Sequence, residues 1–143
     1  MGHAARTLLA LAALAIAADC GAAQWKQLAK SSLGELWIDT ESVKRNDDAA
    51  AFDYRVDYGK PQQEVGSKTM YRSTVTRAIV RCGPRTMAMG PTLAYDGPRA
   101  TGKVIGNYPP SPEEARFQPV EPRSSDENLW RHICGVAQVT PKK

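Results

Sequence analysis

Residues 68–82, KTMYRSTVTRAIVRC, decide the fold. The run holds neither Gly nor Pro and is rich in Thr and Val, which suit a pleated, half-buried backbone. Its side chains alternate. Met70, Thr74, Thr76, Ala78, Val80 and Cys82 share one face, and Tyr71, Val75, Arg77, Ile79 and Arg81 share the other. With Cys82 turned inward, Arg77 and Arg81 face solvent. Gly83-Pro84-Arg85 reads as a turn. Residues 86–89 then resume as a strand that reaches toward Tyr95 after an interruption at Gly90-Pro91, so the two runs make an antiparallel hairpin.

Upstream, Phe52, Tyr54, Val56 and Tyr58 alternate with Asp53, Arg55 and Asp57. This is a half-buried strand with its aromatic side inward and its charged side wet, ended by Gly59-Lys60-Pro61. Leu36, Trp37 and Ile38 form a further strand candidate, Trp25 and Leu28 anchor a short terminal segment, and residues 42–48 are a charged turn carrying Lys44 and Arg45.

Downstream, residues 101–105 add one short strand. Pro109, Pro110, Pro112, Pro119 and Pro122 then bar a central strand or long helix, because each lacks a donor and restrains the residue before it. Between them there is room for one helical turn over 112–117. Ser124 followed by Glu127 has capping-box spacing, and Asp126 and Glu127 complement the exposed amides of a first helical turn. Leu129, Trp130, Ile133 and Cys134 make an apolar stripe, and Gly135 stops the helix. Residues 136–139 have the pattern of a brief closing strand. The elements together predict an α+β fold: a mostly antiparallel sheet with a C-terminal helix packed on it and one disulfide.

Residues 1–23 have the plan of a secretory signal peptide: Arg6, an apolar run over 8–18, then Gly21, Ala22 and Ala23. That run is too short for a membrane-spanning helix, and no later segment is long and apolar enough either. Cleavage after Ala23 leaves about 120 residues, one domain over 24–143. Cleavage at Ala15-Ile16-Ala17 would keep Cys20 on the mature chain, whereas Asp19 argues against a lipid anchor on Cys20. The even count after Ala23 favours that cut. It leaves Cys82 and Cys134 in an oxidising compartment where pairing is the default, closing a loop of 52 residues. A metal pair with His132 lacks the further ligands that zinc needs.

The segment Ile38-Asp39-Thr40-Glu41-Ser42-Val43-Lys44-Arg45 resembles the opening signature of the surface-adhesin protein E-like family. So do Cys82, with Arg85 in the turn that follows, and Pro122-Arg123-Ser124-Ser125-Asp126-Glu127-Asn128-Leu129-Trp130 with Cys134. Members are small exported bacterial proteins. The resemblance implies a compact antiparallel sheet with a terminal helix and a cysteine pair at Cys82 and Cys134. It also implies a non-catalytic role, since the family brings no agreed catalytic set. Its namesake is a surface lipoprotein that binds host extracellular-matrix and serum proteins.

The formal charge of +4 suits acidic partners or an anionic surface as readily as plain solubility. Lys68, Arg72, Arg77, Arg81 and Arg85 are candidates for a basic binding face directed at an envelope or extracellular protein or a polyanion. The sheet edges, residues 86–89 or 52–58, are candidates for pairing with a second copy. Basic residues scattered among acids, without a recognition helix, argue against nucleic acid. Trp25, Trp37 and Trp130 read as core anchors before a sugar platform. His132, the sole histidine after residue 23, has no nucleophile and acid to complete a triad. The expected protein is a non-enzymatic envelope module without cofactor or metal, periplasmic or secreted, with surface adhesion and a small hydrolase as the competing readings.

Overall fold

The structure, a computed structural model, describes residues 21–135. Most of the leader with Cys20, residues 136–139 and the Lys142-Lys143 tail lie outside the described residues. In chain order the elements are β1 (Trp25–Lys30), β2 (Gly34–Asp39), a 3-10 turn (Thr40–Ser42), β3 (Lys44–Asn46), β4 (Ala49–Gln63), β5 (Met70–Arg81), β6 (Thr86–Tyr95), β7 (Val104–Tyr108), β8 (Gln118–Pro119) and α1 (Ser125–Cys134). All pairings are antiparallel in one sheet of order β1-β2-β4-β5-β6-β7, with β3 beside β4 and β8 beside β6.

β5 carries the alternation that its sequence predicts: Thr74, Thr76, Ala78 and Val80 are buried, while Arg77, Ile79 and Arg81 are exposed. The charged turn over 42–48 is more ordered than expected, since β3 pairs with residues 49–51. One strand, β4, also runs longer, and β6 reaches Tyr95 as its sequence suggests. Gly59-Lys60-Pro61 does not end β4; it forms an irregularity between the pairs Asp57–Ser73 and Gln62–Tyr71, and the strand resumes. Likewise Gly90-Pro91 is a bulge within β6, between the pairs Thr76–Thr92 and Ala78–Met89. A Cβ at Gly90 would stand 3.1 Å from the Arg77 carbonyl oxygen, and Pro91 brings no N–H to a ladder already broken there.

The core lies between one end of the sheet and α1. Ile38, Phe52, Val80, Leu129 and Ile133 are fully or almost fully buried in it. Each such side chain contributes on the order of 1.5–3 kcal/mol. The Ser124 hydroxyl accepts from the Glu127 N–H at 3.1 Å, and Gly135, with φ 69°, closes the helix by donating to the Arg131 carbonyl. The reciprocal half of the box is displaced: the Glu127 carboxylate accepts from the Arg123 N–H at 2.7 Å. Cys82 and Cys134 form the disulfide, with Cα atoms 5.6 Å apart. The last strand before the prolines covers Val104–Tyr108, slightly later than expected, and residues 112–115 form a turn without becoming a helix. That proline segment is an ordered strap. Met89 donates to the Glu114 carbonyl at 2.7 Å, Val120 donates to the Arg85 carbonyl at 3.1 Å, and the Val120 side chain is buried.

Candidate binding groove

Helix α1 covers only half of the inner sheet face. Past Phe52 the same face of β4 continues through Tyr54, Val56 and Tyr58, and past Val80 and Ala78 that of β5 continues through Thr76 and Thr74. With Thr92 and Ala94 of β6 and Tyr108 of β7, these residues form an open groove of about 490 Å³. The β4–β5 hairpin supplies Glu64 and Val65 to its rim. The volume falls in the range of roughly 300–1,000 Å³ usual for binding sites.

The groove combines aromatic surface with fixed hydroxyls. On its floor the Thr76 and Thr92 hydroxyls lie 2.7 Å apart in a cross-strand hydrogen bond. Tyr58 meets Tyr71 edge to face, with ring centroids 5.6 Å apart. Burial pushes the Tyr54 phenol up to about 12, so it stays neutral across ordinary pH. Its hydroxyl donates to the Met89 sulfur at 3.6 Å. At the rim, Glu64 accepts hydrogen bonds from Ser67, at 2.6 Å, and from the Tyr108 hydroxyl. Those two bonds hold its carboxyl below the usual value, and the same contact raises the Tyr108 phenol. Glu64 thereby ties the hairpin to β7 across the mouth of the groove.

The five residues of the expected basic face do not assemble into one stripe. Arg72 lies beside the register irregularity of β4–β5, at the end of β5 away from Arg81. Arg77 pairs with Asp53 at 3.3 Å on the open surface, Arg81 stacks on Phe117 at 3.8 Å, and Arg85 pairs with Glu127 and lies over Trp130 at 4.9 Å. Arg81 and Arg85 thus hold the strap and the helix. Lys68 and Arg72 stand apart at the other end of the sheet. His132 is half-buried on α1, where burial, Lys26 and Arg45 lower its pKa. Among the described residues no group of three or more His, Cys, Asp or Glu side chains is placed to hold a metal.

The outer sheet face departs from the expected wet surface. Arg55 is 4% exposed, because its guanidinium lies 4.5 Å from the Trp25 ring centre and 5.2 Å from that of Trp37. It donates twice to Asp57, at 3.1 and 2.9 Å. Beside it, the Ser73 hydroxyl donates to the Gly97 carbonyl and accepts from the Ala100 N–H, which pins the β6–β7 loop over this face. Trp25 and Trp37 are anchors, as read, but of a buried cation on the outer face. Glu64 and Tyr108 carry no local signal, since only the strand register brings residues 44 positions apart together.

The sequence matches the Surface-adhesin protein E family over residues 25–135, and the chain belongs to that family of small exported bacterial proteins. Membership in an adhesin family supports the non-catalytic reading. Among solved structures the chain is similar to Haemophilus influenzae protein E. One crystal form has 21% identity and a TM-score of 0.60, covering 78% of this chain and 87% of that one. Another structure of the same protein has 22% identity and a TM-score of 0.58, covering 78% and 83%. A third, from a non-typeable strain, has 19% identity and a TM-score of 0.56, covering 76% and 75%. No curated protein matches. Among the described residues no helix is long and apolar enough to cross a membrane.

Proposed function

We propose that this member of the surface-adhesin protein E family is a protein-binding adhesin. In this reading it is exported by removal of residues 1–23, carries no lipid on Cys20, and holds an extended segment of an extracellular partner in the tyrosine-lined groove. The groove is the observation that carries the reading: half of a rigid sheet face is left uncovered and presents Tyr54, Tyr58, Tyr71 and Tyr108. Tyrosines offer large, stiff contact area with a polar tip, at little cost in side-chain entropy. The threonine and tyrosine hydroxyls suit the backbone of an extended segment. The groove supports the adhesin reading better than a basic stripe does, because Arg81 and Arg85 are already engaged within the fold.

The test is binding of the exported protein to a panel of immobilised extracellular-matrix and serum proteins by surface plasmon resonance, with Tyr58→Ala and Tyr108→Ala beside the parent. Loss of a central aromatic contact typically costs at least about 2 kcal/mol, so either variant should weaken binding by roughly thirtyfold. Binding to none of the panel, or binding by both variants as tight as the parent's, would sink the reading.

A further inference from the structure

The two ends of the sheet differ in what they expose. Opposite the disulfide, the register gathers three connections at one end: the β1–β2 turn beside the pair Gly34–Tyr58, the β4–β5 hairpin past the pair Asp57–Ser73, and the β6–β7 loop beside the pair Tyr95–Val104. The hairpin projects farthest, with β5 running three residues, about 10 Å, beyond Ser73. Five large apolar side chains of the described residues are exposed, and four of them are here: Leu33 at 78%, Val65 at 100%, Met70 at 45% and Val104 at 47%. Leu33 and Val65 stand in turns that a polar residue would serve as well.

The charges around them are mostly positive. Lys60, Lys68, Arg72, Arg99 and Lys103 are exposed at this end, and none makes an ion pair among the described residues. Of the nearby acids, Glu35 is paired with Lys30 and Asp57 with Arg55, while Glu64 and Asp96 keep their charge but are outnumbered by the five cations. Apolar tips ringed by unpaired cations match a bilayer surface, where the tips enter the headgroup layer and the cations meet anionic headgroups. A folded protein partner would favour a contiguous apolar patch, whereas these four side chains are spread over three connections.

We propose that this end of the sheet is a membrane-docking surface that seats the protein on bilayers bearing anionic lipids. Val65 and Leu33 are the inserted tips, and Lys60, Lys68, Arg72, Arg99 and Lys103 are the headgroup contacts. This is a peripheral attachment needing no lipid on the chain, and it leaves the disulfide and helix end pointing away from the bilayer. It does not depend on the groove's occupant.

Vesicle flotation of the exported, disulfide-closed protein tests it. Phosphatidylglycerol–phosphatidylcholine vesicles are compared with phosphatidylcholine alone at low and physiological salt. The parent should float with the anionic vesicles only, and less so as salt rises. Lys60→Glu with Lys68→Glu, and separately Leu33→Asp with Val65→Asp, should each weaken binding by about tenfold or more. Lys44→Glu with Arg116→Glu, at the opposite end, should leave it unchanged. No flotation, equal flotation on neutral vesicles, unchanged binding in the first two variants, or an equal loss in the third would overturn the proposal. Should the Asp pair lower the melting temperature, Leu33→Ser with Val65→Ser replaces it, with the same loss expected.

Discussion

Trp130 donates its indole N–H to the Arg81 carbonyl at 3.3 Å, one residue from Cys82, so helix and strand are joined by a hydrogen bond beside their covalent link. The disulfide closes a 52-residue separation that includes the β5–β6 turn and the whole proline strap. In the chain-entropy account such a loop is worth about 4 kcal/mol. Reduction should therefore lower the melting temperature strongly, with the far-UV signal of the sheet lost in the same transition. An unchanged melting temperature after complete reduction would show that the noncovalent contacts of α1, with Leu129, Ile133 and the Trp130 hydrogen bond among them, hold it without the disulfide.

The helix start makes a second expectation, with a pH dependence. Ser124→Ala removes the acceptor of the Glu127 N–H and should cost about 1 kcal/mol. Glu127 itself accepts from the Arg123 N–H and pairs with Arg131 and Arg85, and the backbone bond is the leading cause of its lowered pKa. A carboxyl whose folded pKa is depressed stabilises the fold above its unfolded value, near 4.5, and loses that contribution as pH falls through the folded value. Melting curves of the parent should fall more steeply below about pH 4.5 than those of Glu127→Gln, while the variant is already less stable at neutral pH. Parallel curves would refute the role given to Glu127.

The Arg55 cage predicts that charge and shape both matter. Arg55→Met leaves Asp57 facing a low-dielectric wall without its cation, and breaking a buried pair typically costs about 3–5 kcal/mol. Arg55→Lys keeps the charge but loses the planar stack and the second hydrogen bond to Asp57, so it should recover only part of the loss. Replacing both members, Arg55→Met with Asp57→Asn, should be milder than Arg55→Met alone. Denaturant unfolding followed by tryptophan fluorescence reads all three, since Trp25 and Trp37 are the cage walls.

These outcomes track what a linear reading of the chain can reach. The helix at 125–134, its Ser124 cap, its Gly135 stop and the inward face of β5 are legible because each follows from spacings within one turn or one strand. The length of β4 is not, because Gly59-Pro61 looks like a terminator until the neighbouring strand absorbs the extra residues as an irregularity, whereas the reach of β6 past Gly90-Pro91 to Tyr95 is in view. Arg55 reads as solvent-facing because alternation says which face a residue takes, not what later covers that face. The groove fails for the same reason: Tyr54, Thr74, Thr92 and Tyr108 come from four strands whose order no single segment encodes. The basic face dissolves because its arginines have separate partners, Arg77 on Asp53, Arg81 on Phe117 and Arg85 on Glu127, which no linear spacing reveals.

Tyr54 offers the most isolated titration. Its phenol is raised from 10.0 to about 12, chiefly by burial, so the folded state keeps a proton that the unfolded chain has begun to release at pH 10. The sign follows from linkage: with the folded value above the unfolded one, this group's contribution is intact below pH 10 and is lost as pH rises through 12. The two-unit gap corresponds to a loss on the order of 2–3 kcal/mol across that window. Tyr54→Phe removes a long contact to the Met89 sulfur and a hydrogen bond with the Thr76 side chain, so its stability at neutral pH should fall by no more than about 1 kcal/mol. Above pH 10 the variant should become the more stable of the two. The comparison is made by urea unfolding at matched pH, where hydroxide acts on the other tyrosines and on the disulfide equally in both proteins. Curves that stay parallel from pH 8 to 12 would mean that Tyr54 ionises like an exposed phenol and that the groove floor is wet.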